Sequence, residues 1–206
     1  MSSIIMFDFD GVIADSYEVF FTTFTGVCTE MGFERLNSRE TFLKLFDGNL
    51  IRQLLWMGFP VWRLKRLMRR FQPRITEANQ RVRPFDGMPE ILNELAAAHT
   101  VYVITSNVSG TVAEFLARFG VRGIVDVIGA EREPSKVKKI RKVVKQHPEC
   151  RPYYIGDTKG DMLEGRAAGV ATVAAGWGWH PPERLQEADP DHLLLAPVEL
   201  RALFSE

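Results

Sequence analysis

Four aspartates in two short clusters are the residues of this chain whose types and spacing could do chemistry. Phe7-Asp8-Phe9-Asp10-Gly11-Val12 closes one short apolar run, and Gly156-Asp157-Thr158-Lys159-Gly160-Asp161 closes another. Asp8 and Asp10 would share a face if the first run continued as a strand. Asp157 and Asp161, four apart, share a face if their segment turns into a helix. Carboxylates crowded into one cleft repel one another, and a hard divalent cation relieves that cost. Mg²⁺ suits the task because it takes oxygen ligands and keeps waters and substrate phosphate in its shell. An aspartate pair at a helix start also serves as N-cap and dipole complement; two such pairs at strand ends of one sheet favour the metal. A calcium loop is excluded. With Asp8 as position 1, position 12 is Val19 where a bidentate Glu is required, and the glycine falls at 4 instead of 6.

Two further segments carry donors. Thr105-Ser106-Asn107 follows the apolar run Val101–Ile104. Its hydroxyl, amide and backbone N–H groups suit either a phosphoryl group or the ordinary capping of a helix. Lys136 lies in Glu133-Pro134-Ser135-Lys136-Val137-Lys138-Lys139. A lysine in the first turn of a helix opposes the macrodipole, so a specific anionic partner and a plain solvent-facing position are both open. His99, His147, His180 and His192 are dispersed without paired spacing and read as structural or surface residues. Trp177-Gly178-Trp179-His180-Pro181-Pro182 reads as a loop covering the core edge, with a pocket rim as the other reading.

The elements that must position these residues are an alternation of short apolar runs and helical patterns, which predicts an α/β fold with a parallel sheet. Strands are predicted at Ile4–Phe7, Val101–Thr105, Ile124–Ile128, Tyr153–Ile155, Ala171–Ala174 and, more weakly patterned, Leu193–Leu195. Ligands of such sheets bind beyond the carboxyl ends of the strands, where the acidic clusters fall. Gly169 has the place of a helix C′ glycine. Residues 16–83 break the alternation: they show helical patterns punctuated by Gly and Pro, Pro73 among them. Within them Leu64, Leu67, Met68 and Phe71 form one stripe, opposed by Arg63, Lys65, Arg66, Arg69 and Arg70. That basic face reads as the solvated side of an amphipathic helix.

Lys+Arg and Asp+Glu are both 26, so the formal net charge is zero, which argues against tight nonspecific binding to nucleic acid or anionic membrane. Hydrophobic residues at 46% and charged residues at 25% exclude a disordered or fibrous chain. Two cysteines do not build a disulfide framework. MSSIIMFDFDG lacks the basic and long apolar regions of a signal peptide, and no run approaches a membrane span of about 18 residues. A cytoplasmic location is the expectation.

Together, D-x-D-G-V at Asp8–Val12, a strand ending in Thr105, the downstream Lys136 and G-D-x-x-x-D at Gly156–Asp161 resemble the haloacid dehalogenase superfamily. The likeness is to its phosphoglycolate phosphatase-like and β-phosphoglucomutase-like branch. Asp15-Ser16 and Pro84-Phe85-Asp86-Gly87 flank residues 16–83 as in that branch. The resemblance implies a Rossmann-like catalytic core from residues 1–15 and 84–206, with an inserted helical cap at 16–83. It implies Asp8 as nucleophile, Asp10 as general acid and base, and Thr105 and Lys136 as phosphoryl ligands, with Ser106 and Asn107 beside them. Mg²⁺ would be held by the Asp8 carboxylate, the Asp10 backbone carbonyl and Asp157, with Asp161 in support. One departure stands out: many relatives carry the lysine as K-P, whereas here it is E-P-S-K, which leaves Lys138 and Lys139 as other occupants.

The chemistry agrees with the resemblance. Phosphoryl transfer asks for an in-line nucleophile, positioning and charge neutralisation, and a covalent aspartyl phosphate divides one hard displacement into two. The expected activity is Mg²⁺-dependent hydrolysis of a small phosphorylated metabolite, with phosphoglycolate the leading candidate, by a monomer or small homo-oligomer. A phosphomutase of the β-phosphoglucomutase type is the alternative. A phospho-acceptor receiver module is the alternative of another class, disfavoured because its acceptor Asp ends the third strand, where this chain has Ile128-Gly129-Ala130.

Overall fold

In the computed structural model, which describes residues 2–205, the alternation resolves into six parallel strands. They are β1 (Ser3–Phe7), β2 (Thr100–Ile104), β3 (Ile124–Ile128), β4 (Arg151–Gly156), β5 (Ala171–Ala175) and β6 (His192–Leu194), in the order β3-β2-β1-β4-β5-β6. This is the Rossmann-like order, and its topological switch point lies between β1 and β4. Phe7 pairs with Val103 on one side and Ile155 on the other. Both acidic clusters therefore leave the sheet at the switch point. The chain divides into two compact units, Met1–Asp15 with Pro84–Glu206, and Ser16–Arg83.

The first unit holds the sheet. β1 is buried along its whole length because parallel strands are covered on both faces, which is why it reads as an unbroken apolar run. Ile4, Met6, Tyr102, Ile104, Ile140, Val143 and Tyr154 form one core cluster; burying each of the larger aliphatic side chains contributes roughly 1.5–3 kcal/mol. The covering helices are α5 (Met88–Ala98), α6 (Ser109–Arg118), α7 (Lys136–Gln146) and α8 (Lys159–Ala168), with the short α9 (Pro182–Gln186) and α10 (Glu199–Leu203) after β5 and β6. α8 ends at Gly169 in the left-handed region (φ 83°), the conformation that favours glycine there.

The second unit is helical: α1 (Tyr17–Glu30), α2 (Arg39–Leu43), α3 (Leu50–Trp56) and α4 (Leu64–Ala78). Its interior is aromatic. Phe24 meets Phe71 edge-to-face at 5.2 Å, and Phe42 meets Phe21 at 5.1 Å and Phe46 at 5.3 Å. The stripe of α4 buries Leu67, Phe71 and Ile75, while Arg63, Lys65, Arg66 and Arg69 are exposed. Pro73 does not end this helix, contrary to its reading as punctuation. It lies on the exposed side, where water can take the Arg69 carbonyl that loses its N–H partner. No helix among the described residues is long and apolar enough to cross a membrane.

Candidate active site

β1 stops at Phe7, and the Asp8 N–H extends the sheet pairing by donating to the Ile155 carbonyl at 2.8 Å. The chain then turns. The N–H groups of Ile13 and Ala14 both donate to the Phe9 carbonyl, and Gly11 takes φ 73°. Asp8 and Asp10 thus do not lie on one face of a continuing strand. The Asp8 carboxylate accepts the Phe9 N–H at 2.8 Å and Lys136 Nζ at 2.7 Å. The Asp10 carboxylate is half-buried and accepts Asn107 Nδ2 at 2.6 Å.

The second cluster is tied more tightly. Asp157 is buried and accepts the Trp179 N–H at 2.8 Å. Asp161 is the third residue of α8 and completes a capping box with Thr158, whose N–H and Oγ1 donate to Asp161 Oδ2 at 3.2 and 2.5 Å. Its Oδ1 accepts Tyr154 Oη at 3.0 Å and Lys136 Nζ at 2.6 Å. Helix capping and membership of the acidic cluster are therefore both served by one side chain. Among the described residues, Asp8, Asp157 and Asp161 offer carboxylate oxygens within 4.8 Å of one another; the Asp10 carboxylate is not part of that group.

Thr105 follows β2 and is fully buried, Asn107 is half-buried and Ser106 is exposed. Helix α6 begins at Ser109 after Val108, which has no side-chain cap, so Thr105, Ser106 and Asn107 are not its N-caps. Thr105 Oγ1 instead accepts the Asn107 N–H at 3.0 Å. Lys136 opens α7 directly after its N-cap Ser135, and its unfavourable place against the helix dipole is offset by the two carboxylates it bridges. Of the neighbouring lysines, Lys138 is exposed and Lys139 is buried elsewhere in the site, donating to the Thr105 carbonyl.

Two features of the site differ from their sequence reading: the Trp177–Pro182 loop, read first as a cover of the core edge, takes the other reading and borders the site, and Tyr154 joins it from within β4. The Trp177–Pro182 loop supplies the backbone donor to Asp157, and the buried His180 donates its N–H to the Asp157 carbonyl at 3.2 Å. Gly178 between two tryptophans beyond β5 was the available signal. Tyr154 read only as a core strand residue, yet its hydroxyl holds Asp161.

Burial pushes the Asp8 carboxyl up to about 7, with Lys136 pulling it down and Asp161 and Asp10 adding to the rise. Burial also raises Asp157 well above the ordinary carboxylate value, helped by the charges of Asp161 and Asp8. Asp161 is pushed up by burial too, but Lys136 and the hydrogen bonds from Thr158 and Tyr154 bring it below the ordinary value. For Lys136, burial acts downward and is outweighed by Asp161 and Asp8, so its ammonium is held. Three buried carboxylates thus lie together, and Lys136 bonds directly to two of them, Asp8 and Asp161. An oxygen-only, anion-rich donor set of this kind fits a hard divalent cation.

Gly11 and Gly178 both pass close to the Asp157 side chain. A Cβ built on either would collide with the Asp157 side chain, and Gly11 also has the left-handed φ. Gly11→Ala should therefore displace the Asp157 carboxylate and weaken divalent-metal affinity by about 10-fold or more. Titration of metal-dependent activity in wild type and variant checks this, and an unchanged metal midpoint would count against it.

Residues 5–175 match the haloacid dehalogenase-like hydrolases. The chain belongs to that family. Among similar proteins, a phosphoglycolate phosphatase of Synechococcus elongatus is 26% identical over 95% of this chain and 94% of its own. A 5'-nucleotidase of Pseudomonas aeruginosa is 26% identical over 97% and 94%. A haloacid dehalogenase-like hydrolase from Streptococcus pneumoniae superposes with a TM-score of 0.83, at 23% identity, over 98% of both chains, which shows the shared fold.

Proposed function

We propose that this haloacid dehalogenase-like hydrolase is a Mg²⁺-dependent phosphatase of a small phosphorylated metabolite, phosphoglycolate being the leading substrate, and that it works through an aspartyl phosphate on Asp8. That the chain is a phosphatase-type hydrolase follows from its family and its similar proteins. The observation that carries the mechanism is Asp8 itself. It is a buried carboxylate at the switch point, bonded to Lys136 and within 4.8 Å of Asp157 and Asp161.

In the first step an Asp8 carboxylate oxygen bonds to phosphorus as the ester P–O bond breaks, and Asp10 delivers a proton to the departing oxygen. In the second, Asp10 takes a proton from water as the water oxygen bonds to phosphorus and the Asp8–phosphorus link breaks. Lys136 and Thr105 hold the phosphoryl oxygens, and the Asn107 amide orients Asp10. The metal would be held by the carboxylates of Asp8 and Asp157 and the Asp10 backbone carbonyl. Asp161, whose oxygens are engaged by Thr158, Tyr154 and Lys136, supports from beside it. Bound there, Mg²⁺ supplies charge neutralisation for the transferring phosphoryl group. The role of residues 16–83 as a substrate-selecting cap belongs to the same reading and rests on the family resemblance.

The test is phosphate release from a panel that includes phosphoglycolate and 5'-nucleotides, with chelator and with Mg²⁺ restored. Full activity in excess chelator, with no metal remaining bound, would overturn metal dependence. Retention of the phosphoryl group on a second hydroxyl of the substrate would point to the mutase. The site also fixes a pH dependence. Asp8 and Asp157 have raised carboxyl values, so at these two groups the metal-free folded state holds more protons than the unfolded state as pH rises above 3.8. For Asp8, that stabilisation is complete below pH 3.8 and is lost as pH rises toward about 7. A cation replacing those protons restores it, so the rise in Tm on adding Mg²⁺ should be small near pH ~5 and grow toward pH ~8. A Mg²⁺ effect on Tm that is flat across this range would contradict it.

A further inference from the structure

Lys139 lies one turn after Lys136 on α7 and is only 1% exposed, yet it forms no part of the steps above. An ammonium taken out of water costs several kcal/mol unless it is bonded. Its Nζ donates to the Thr105 carbonyl at 2.5 Å. The rest of that loop is also tied. The Thr105 N–H donates to the Ile128 carbonyl at 3.1 Å, and Thr105 Oγ1 accepts the Asn107 N–H at 3.0 Å. The Ala130 N–H donates to the Asn107 carbonyl at 2.9 Å, and the Glu131 carboxylate accepts the Ser109 N–H at 3.2 Å. Lys139 completes this set by fixing the peptide that joins Thr105 to Ser106. In a trans peptide the carbonyl and the following N–H point to opposite sides. Holding the Thr105 carbonyl toward α7 therefore turns the Ser106 N–H away from α7.

We propose that Lys139 is a positioning residue of the phosphoryl subsite: its ammonium fixes the Thr105–Ser106 peptide so that the Thr105 hydroxyl and the Ser106 N–H present a set pair of donors to the phosphoryl oxygens. The inference rests on the phosphatase reading and deepens it. Burial lowers the Lys139 ammonium to about 8, with Lys136 adding to the fall and Asp8, Glu131 and Glu164 opposing it. A lysine kept in so costly a place needs a return that a methionine of similar length would not provide.

The experiment compares wild type with Lys139→Met, which keeps the stem and removes the ammonium. kcat/KM should fall by about 10²-fold, the scale of a misplaced catalytic group. The factor should be equal for a p-nitrophenyl and an alkyl phosphate, because the donors that Lys139 positions act on the phosphoryl group and not on the leaving group. Inhibition by orthovanadate should weaken in parallel, and the loss should be less than multiplicative with Thr105→Val, since both act on one loop. A packing role alone would lower Tm and leave kcat/KM and vanadate affinity of the folded enzyme unchanged, and that result would overturn the proposal. Should Lys139→Met not fold, a structure of the wild-type enzyme with Mg²⁺ and vanadate decides. The Ser106 N–H within hydrogen-bonding distance of a vanadate oxygen, with Lys139 still on the Thr105 carbonyl, supports the proposal; either contact missing overturns it. Wild type inactive on every ester with Mg²⁺ sinks the phosphatase reading itself, whereas active wild type with an unaltered variant sinks only this inference.

Discussion

Asp8→Asn should leave no detectable turnover with any phosphate ester and no trapped phosphoenzyme, because it removes the oxygen that attacks phosphorus. The variant should still fold. The wild-type carboxyl is pushed up to about 7 by burial, so its charge is a burden to the metal-free folded state above that pH, and a neutral amide removes it. Asp10→Asn separates the two steps. It keeps the nucleophile and removes the acid and base, a change worth about 10²–10⁴-fold. p-Nitrophenolate scarcely needs a proton to leave, so transfer to Asp8 survives in part, while hydrolysis of the aspartyl phosphate lacks its base and slows more. The expected record is a burst near one nitrophenolate per active site followed by a much slower steady rate. Alkyl phosphates should show no burst. Equal loss for both ester types without a trapped phosphoenzyme would count against Asp10 as the acid and base, and a burst from Asp8→Asn would overturn the nucleophile.

Lys136→Met should be the most disruptive single change for the metal-free protein. Lys136 Nζ contacts Asp8 at 2.7 Å and Asp161 at 2.6 Å, at a side chain only 12% exposed. Breaking a buried pair by removing one partner costs about 3–5 kcal/mol, and here two carboxylates lose the same cation. Without it both shift upward, so the folded variant binds more protons than wild type and its stability falls as pH rises. Its Tm deficit should therefore widen from pH ~5 to pH ~8 and shrink when Mg²⁺ is added, because the cation takes over part of the missing charge. Activity should drop by about 10²–10³-fold from the lost phosphoryl contact. A Tm deficit that is the same at every pH, with and without Mg²⁺, would show that Lys136 does not hold these carboxylates.

Much of this protein is local, and local spacing is what a sequence records. Ile4–Phe7 and Val101–Ile104 are readable because a strand covered on both faces is apolar throughout. The end of α8 at Gly169 is readable because a left-handed C-cap favours glycine. The stripe of α4 is readable from its 3.6-residue period, although Pro73 within it is not, since whether a proline ends a helix depends on whether the orphaned carbonyl reaches water. The acidic clusters are legible as types at strand ends. Their arrangement is not.

Only the tertiary structure decided which lysine meets which group. Lys136, Lys138 and Lys139 are alike in sequence, but one bridges Asp8 and Asp161, one faces solvent, and one is buried on the Thr105 carbonyl. The same holds for the Trp179 N–H on Asp157, the Asn107 amide on Asp10, and the two glycines that give Asp157 its space. Lys136 and Asp8 are 128 residues apart, and Asn107 and Asp10 are 97 apart. Helix period and strand alternation carry no information over such separations; the strand order around β1 and the burial of each group set those contacts.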